Sequence, residues 1–438
     1  MMQKGLMLSS IVLLLICCYG YSQTNEEGYQ SSQFNFFPPG ARAMAMGGAF
    51  IGLADDASAA YYNPSGLMIL NKKEICLASW LSKHYTYTAS DPDVFTTGSL
   101  TATESDIDGG PLFTSIVIPF DNLRIGIYYA NISMSEFPDI KYYARPIPGT
   151  SNITLPSEGH FDFVSLYFST AVALKLNDNI YIGASINYVL STISNTLIFH
   201  EINPTNLADL TQNPLFELRT EHTQEGKFGF TLGTFIMPIE NLSIGLVYNY
   251  NPKYNYTQSR WVPDYETGIN TNDDINLTFN IPDKLGAGIA YRPIDELVIV
   301  ADIVYAMYEQ LTENMISSFD EPSGIKRGDD ISDIYKASNA TEFHLGIEYA
   351  IYMGKTPLFL RAGIFVNPDH SIKYTGQSTT GIEPYLWNLS DYSDDIKDPD
   401  LVLTGGIGIN IDSNFQIDAA YYDSYLHKRG MLSFVYRF

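Results

Sequence analysis

The chain of 438 residues carries 49 acidic against 25 basic side chains, a formal charge of −24 that becomes −25 when Lys4 leaves with the N-terminal leader. Acidity on this scale repels the phosphates of nucleic acid and excludes it as a partner. A mean hydropathy near zero is too polar for a helical membrane protein and ordinary for a β-barrel, whose strands face lipid on one side and a lumen on the other.

Residues 1–22 read as a secretory signal peptide. Lys4 is the basic start, Leu6 to Cys18 are almost wholly apolar, and Gly20 and Ser22 are the small residues ahead of a cleavage at Gln23. The apolar run is shorter than the roughly 20 residues of a spanning helix. Cleavage removes two of the three cysteines and leaves Cys76 alone. An internal disulfide and a cysteine-based metal site are therefore not expected, and no cofactor is implied. Residues 23–70 follow as a separate unit. Within it Gly40 to Leu67 is crowded with Gly and Ala, carries one Arg and the pair Asp55-Asp56, and closes on an Asn-Pro-Ser-Gly turn. Such a segment packs tightly without strand alternation.

From residue 71 to 438 the pattern has a period of two. Leu123 to Tyr129, Ile180 to Tyr188 and Leu242 to Tyr248 place an apolar residue at every second position and small or polar ones between. The template recurs at Leu297 to Tyr305, Phe343 to Ile351, Leu358 to Val366, Leu401 to Ile411 and Phe415 to Tyr421, so each is a strand with one apolar face. Tyr129, Tyr188, Tyr248 and Tyr305 end such stretches on the apolar side, where an aromatic girdle meets a membrane interface. Short turns at 120–122, 176–179, 239–241, 293–296, 353–356 and 412–414 alternate with long acidic connections near 87–110, 139–159, 201–224, 259–274, 309–338 and 369–399. The strands fall near 73–86, 112–120, 123–138, 160–175, 180–200, 226–238, 242–258, 275–292, 297–308, 340–352, 357–367, 400–411, 415–426 and 430–438. They are fourteen, an even number, with both ends on the short-turn, periplasmic side. The expected fold is an all-β, 14-stranded antiparallel transmembrane β-barrel of the cell outer membrane, multi-pass in outer-membrane lipid, with the N-terminal unit inside it. A secreted sandwich or propeller also alternates, but it does not require this loop asymmetry, the tyrosine placement or the terminal Phe438.

The block Gly40-Ala41-Arg42-Ala43, Met46-Gly47-Gly48-Ala49-Phe50, Ala54-Asp55-Asp56-Ala57 and Asn63-Pro64-Ser65-Gly66-Leu67, with fourteen strands after it, resembles the FadL/TodX family of outer-membrane transporters for hydrophobic compounds. The resemblance implies that residues 23–70 are a hatch plugging the lumen, with Gly40, Arg42, Gly47, Gly48, Asp55, Asp56, Asn63, Pro64, Ser65 and Gly66 as its motif. Ser65 stands where the family has Ala. It also implies uptake of a hydrophobic small molecule, long-chain fatty-acid-like, that enters near the external loops and leaves sideways. Phe34, Phe36 and Phe37 line an apolar path or anchor the N-terminus against the barrel. The same block and a leader ending Tyr-Ser-Gln also resemble PorV-type barrels of the type IX secretion system, which shuttle secreted protein cargo. Terminal Phe438 resembles the signal read by the barrel assembly machinery.

An enzyme is not expected. The seven histidines (His84, His160, His200, His222, His344, His370, His427) are scattered, and neither HExxH nor GxSxG occurs. The acidic run Asp391 to Asp400 offers hard oxygen ligands for calcium, yet lacks EF-hand spacing and its Gly, and so reads first as a solvated loop. Arg124, Asp302, Glu348, Arg361 and Asp418 fall at lumen-facing positions, and Arg361 is a candidate partner for Asp55 or Asp56.

Overall fold

The computed structural model describes residues 34, 36, 38–89, 100–136, 140–142, 157–206, 209, 211–263, 270–318, 325–354, 356–370, 372–375, 400–423 and 428–438. The signal peptide, Phe37 and the acidic run 391–399 lie outside them.

Two short helices, α1 (Ala41–Ala45) and α2 (Ala59–Tyr62), and a 3-10 turn (Pro64–Ile69) precede the strands. The strands are β1 (Glu74–Ala89), β2 (Leu100–Pro119), β3 (Leu123–Glu136), β4 (Ile140–Tyr142), β5 (Ser157–Lys175), β6 (Ile180–His200), β7 (Pro214–Ile239), β8 (Leu242–Tyr250), β9 (Lys253–Val262) and β10 (Thr271–Asn280). They continue as β11 (Lys284–Ile294), β12 (Leu297–Ala306), β13 (Tyr335–Lys336), β14 (Ala340–Met353), β15 (Thr356–Asn367), β16 (Lys373–Tyr374), β17 (Asp400–Asn410), β18 (Phe415–Asp423) and β19 (Lys428–Arg437). Each barrel strand pairs antiparallel with its neighbours, and β1 pairs with both β2 and β19, so the sheet closes. With β8–β9 and β10–β11 each counted as one spanning strand, and β4, β13 and β16 left to the loops, fourteen strands form the wall.

Lipid-facing and lumen-facing residues alternate as the sequence pattern requires. Leu77, Ile127, Ile186, Leu246, Leu345 and Ile407 point outward and are exposed, in an apolar belt with no water-facing role. Tyr188 and Tyr305 mark its long-loop edge; Tyr291, Tyr349 and Tyr436 mark the short-turn edge. The buried core lies inside the wall, around the N-terminal segment.

Several expectations about strand ends are corrected. β2 begins at Leu100, inside the stretch 87–110 expected as a loop, and β9 and β10 run to Val262 and from Thr271, inside the stretch 259–274. β7 begins at Pro214, inside the stretch 201–224 expected as a loop. The strands expected at 242–258 and 275–292 are broken, at Asn251-Pro252 and at Ile281-Pro282-Asp283. Proline brings no N–H to a ladder. The two breaks lie at one level of a single ribbon, since Lys253 pairs with Asn280 above them and Asn249 with Lys284 below.

Candidate functional site

The segment from Gly40 to Leu70 sits in the lumen against a ring of wall glycines. Strand cores such as Ile182-Gly183-Ala184 or Gly286-Ala287-Gly288-Ile289 put an aliphatic or small residue toward lipid and glycine toward the lumen, which lets the plug's backbone approach the wall. A Cβ on Gly183 would overlap the Ser65 backbone nitrogen, and one on Gly363 the Gly47 nitrogen. On Gly346 it would lie 2.5 Å from the Met46 carbonyl oxygen. Gly47 itself has φ +68°, a left-handed conformation that favours glycine, beneath the Ile364 and Leu345 backbone.

Side chains of the wall then bind the plug's unpaired backbone groups. Asp302 Oδ2 accepts from Phe50 N (2.7 Å) and Ile51 N (2.8 Å). Thr404 Oγ1 accepts from Gly47 N (2.9 Å) and donates to Ala45 O (3.1 Å), and Ser243 Oγ donates to Gly52 O (2.6 Å). Ser433 Oγ accepts from Ala41 N, and Glu74 Oε1 accepts from Ala57 N (2.6 Å). Asn63 caps the 3-10 turn: its Oδ1 accepts from Ser65 N and from Ser65 Oγ (2.5 Å), while its Nδ2 donates to Ile51 O and Thr234 O. Ser65, in the place of an alanine, thus adds a bond inside the plug.

A charge network crosses from plug to wall. Arg42 holds Asp55 (2.6 Å), Asp56 (3.6 Å) and Glu348 (2.9 Å), and Arg292 holds the other oxygen of Asp55 (2.8 Å). Burial works against the Arg42 charge, but Asp55, Glu348 and Asp56 raise its pKa well above the ordinary value. Burial pushes the Asp56 carboxyl up, against the opposing pull of Arg42 and the Ser58 donors. The expected pairing of Arg361 with Asp55 or Asp56 is wrong. Arg361 binds Glu348 (2.6 Å) and Asp418 (2.7 Å). Glu348 faces it directly on the neighbouring strand, so Arg361 reaches the plug only through Glu348 and Arg42.

Toward the long loops the lumen changes character. Phe34, Phe163 and Phe279 form a trio with ring centroids 4.5 to 5.9 Å apart. An apolar column runs from Leu67 and Ala60 in the plug through Tyr128, Tyr167 and this trio to Met315, Ile331 and Ile372. His370 closes the top: its Nε2 lies 2.9 Å from Phe34 O, Nδ1 lies 2.8 Å from Pro368 O, and its ring stacks on Tyr308. Between plug and column is a cavity of about 80 Å³, lined by Phe36, Tyr61, Lys284, Glu342, His344 and Phe365 among others. Glu342 accepts from Tyr308 OH and contacts His344 Nε2, whose ring partner Nδ1 meets Gly47 O at 2.7 Å. Lys284 Nζ stands 3.7 Å over the Phe36 ring and has no hydrogen-bond or ion-pair partner among the described residues.

The motif residues Gly40, Arg42, Gly47, Gly48, Asp55, Asp56, Asn63, Pro64, Ser65 and Gly66 therefore lie in one body inside the barrel, and Phe34 and Phe36 lie above it. Arg124 binds Leu70 O at the short-turn end. Lys284, Arg292, Ser243, Thr404 and Ser433 carried no signal beyond their lumen-side parity. No group of residues able to hold a metal occurs among the described residues.

Comparison with known proteins agrees with this architecture. A Pseudomonas aeruginosa FadL homologue superimposes with a TM-score of 0.62 at 13% identity, covering 92% of this chain and 99% of that one. The Ralstonia pickettii toluene transporter TbuX gives 0.58 at 16% over 91% and 98%, and the Pseudomonas putida toluene transporter TodX gives 0.57 at 15% over 92% and 97%. At these identities the likeness shows the fold alone. No curated protein sequence matches significantly. The family model for outer membrane protein transport proteins (OMPP1/FadL/TodX) matches residues 22–375, which is most of the chain. The chain belongs to that family and is an outer-membrane channel for hydrophobic compounds.

Proposed function

We propose that the compound taken up is long-chain fatty-acid-like, an apolar tail bearing one carboxylate. The observation that carries this is Lys284. Its ammonium stands over the Phe36 ring in the cavity at the foot of the apolar column, within electrostatic reach of the Glu342 carboxylate on the same cavity wall but with no ion pair formed. A neutral hydrocarbon leaves that charge with the ring and the unpaired attraction of Glu342, whereas a carboxylate adds charge-assisted hydrogen bonds and the column receives the tail. Related structures are described as toluene transporters and a monoaromatic hydrocarbon channel, so a neutral aromatic is the competing cargo. The long loops face outward, the short turns and both termini face the periplasm, residues 23–70 act as the hatch, and Phe438 presents the last strand to the assembly machinery.

Binding of oleate and of toluene to purified Lys284→Met protein tests the assignment. Oleate affinity is expected to fall at least tenfold, about 1.4 kcal/mol, with toluene unchanged. Equal effects on both, or none, would overturn it. Capture of secreted protein cargo without oleate binding would favour the PorV-like role.

A further inference from the structure

Two carboxylates stand on the lumen side of the wall next to Lys284, and the fold ties both of them down elsewhere. Gly286, Val304 and Glu342 form one row across β11, β12 and β14, with Gly288, Asp302 and His344 in the row below and Lys284 in the row above, opposite Ala306. Asp302 is taken up by the N–H groups of Phe50 and Ile51 in the plug. Glu342 is the carboxylate whose charge reaches Lys284, yet no ion pair forms between them.

A bond on each Glu342 oxygen keeps the two apart. Tyr308 OH donates to Oε1 (3.1 Å), and His344 Nε2 lies 3.2 Å from Oε2. The other ring nitrogen of His344, Nδ1, lies 2.7 Å from Gly47 O. That carbonyl and the carboxylate are both acceptors, so the ring meets both only with a proton on each nitrogen, and its charge then opposes that of Glu342. The side chains of His344 and Glu342 are 12% and 13% exposed, so water screens the pair far less than at a surface. Tyr308 is fully buried at the start of the 3-10 turn Tyr308–Thr312 that follows β12, and its ring stacks on His370 at 3.8 Å. The stack fixes the ring, and with it the direction of the hydroxyl. A turn outside the strands thereby holds a carboxylate on β14.

We propose that Tyr308 is a positioning residue for carboxylate recognition: it holds Glu342 away from Lys284, so that the ammonium is left open for the head group of the cargo. This rests on the assignment of Lys284 to the cargo carboxylate. Without the hydroxyl, Oε1 loses its donor, and Lys284 is the open cation within its electrostatic reach. An internal Lys284–Glu342 pair then competes with every acid that enters, whereas a neutral molecule of the same shape is indifferent to it.

The test compares binding of oleate and of methyl oleate, which share a tail and differ in charge, to full-length protein that retains heat-modifiable mobility. Tyr308→Phe keeps the ring on His370 and removes only the hydroxyl. It is expected to lower the ratio of oleate to methyl oleate affinity about fivefold. Tyr308→Phe/Glu342→Gln is expected to restore the ratio, since an amide cannot pair with Lys284 as a carboxylate does. A hydroxyl with a merely structural role lowers both affinities together. An unchanged ratio in Tyr308→Phe where Lys284→Met lowers it, or a fall that Glu342→Gln does not reverse, would overturn the role of Tyr308. A ligand-free crystal structure of Tyr308→Phe reads the brace without any cargo: Glu342 at ion-pair distance from Lys284 supports it, and Glu342 in its parent position overturns it. If Lys284→Met leaves oleate binding at the parent level while that structure shows the ion pair, the cargo assignment fails and the brace stands.

Discussion

At the level of the plug the wall offers glycines and charges, whereas toward the long loops the same strands offer rings. Around Met46, Gly47 and Ser65 there is no room for a methyl group, and backbone groups meet fixed partners on Asp302, Thr404 and Ser243. Around Phe34, Phe163 and Phe279 the contacts are ring against ring, which have no fixed donors to satisfy. The lower zone is closed by complementarity and fails when atoms are added or a charge is removed. The upper zone is closed by apolar area and accepts a substitute of similar character.

The largest expected break is Arg42→Met. It leaves Asp55, Asp56 and Glu348 facing one another with one fewer cation, and loss of one partner in a buried network costs about 3–5 kcal/mol. Because the β-ladders are untouched, the barrel should still run as a heat-modifiable species while planar-bilayer conductance rises sharply. Conductance equal to the parent would mean that Arg42 does not hold the plug. Gly183→Val comes next. Its side chain enters the Ser65 backbone and should cost the plug about 1–3 kcal/mol, seen as added sensitivity of cells to a large antibiotic. Phe34→Ala probes the upper zone: losing one ring from the trio, about 1 kcal/mol beyond area effects, should change oleate affinity and leave conductance alone. A conductance increase there would erase the distinction between the zones.

The smallest effect is of pH. Burial raises the Asp56 carboxyl in the seated plug, so its charged form disfavours seating at neutral pH. That cost disappears as pH falls through the raised value toward the ordinary Asp value of about 4. Residual conductance should therefore fall slightly as the pH is lowered from 7 toward 4 in the parent, and fall less in Asp56→Asn.

The barrel was legible because lipid enforces alternation: a run such as Ile180 to Tyr188 reads as a strand with one apolar face, and its repetition between short turns and long acidic loops separates a barrel from a sandwich. The kinked ribbon was not, although Pro252 and Pro282 are plain in the chain, since alternation continues across both and only facing strands show that the breaks share a level. The plug's composition gave its compactness but not its partners. Arg361 went to Glu348 because directly opposed residues on adjacent strands are about 5 Å apart, closer than any contact that must cross the lumen. Ser243, Thr404 and Ser433 are ordinary lumen-facing residues until the plug's backbone is laid against them.

The wall partners of the plug's first half also impose an order on biogenesis. Among the described residues, the polar contacts of Ala41 to Asp56 with the wall all go to Ser243 or beyond: Arg292, Asp302, His344, Glu348, Thr404 and, at the far end, Ser433. The last residue closes the same circuit, since Phe438 N bonds to Lys73 O just behind the plug and Arg437 to Glu74. A segment made first thus waits for strands made last, and contacts of such sequence separation form late. Until the C-terminal strands stand in the wall, the first half of the plug lacks its polar partners, so the seat for the stopper is complete only when the barrel is.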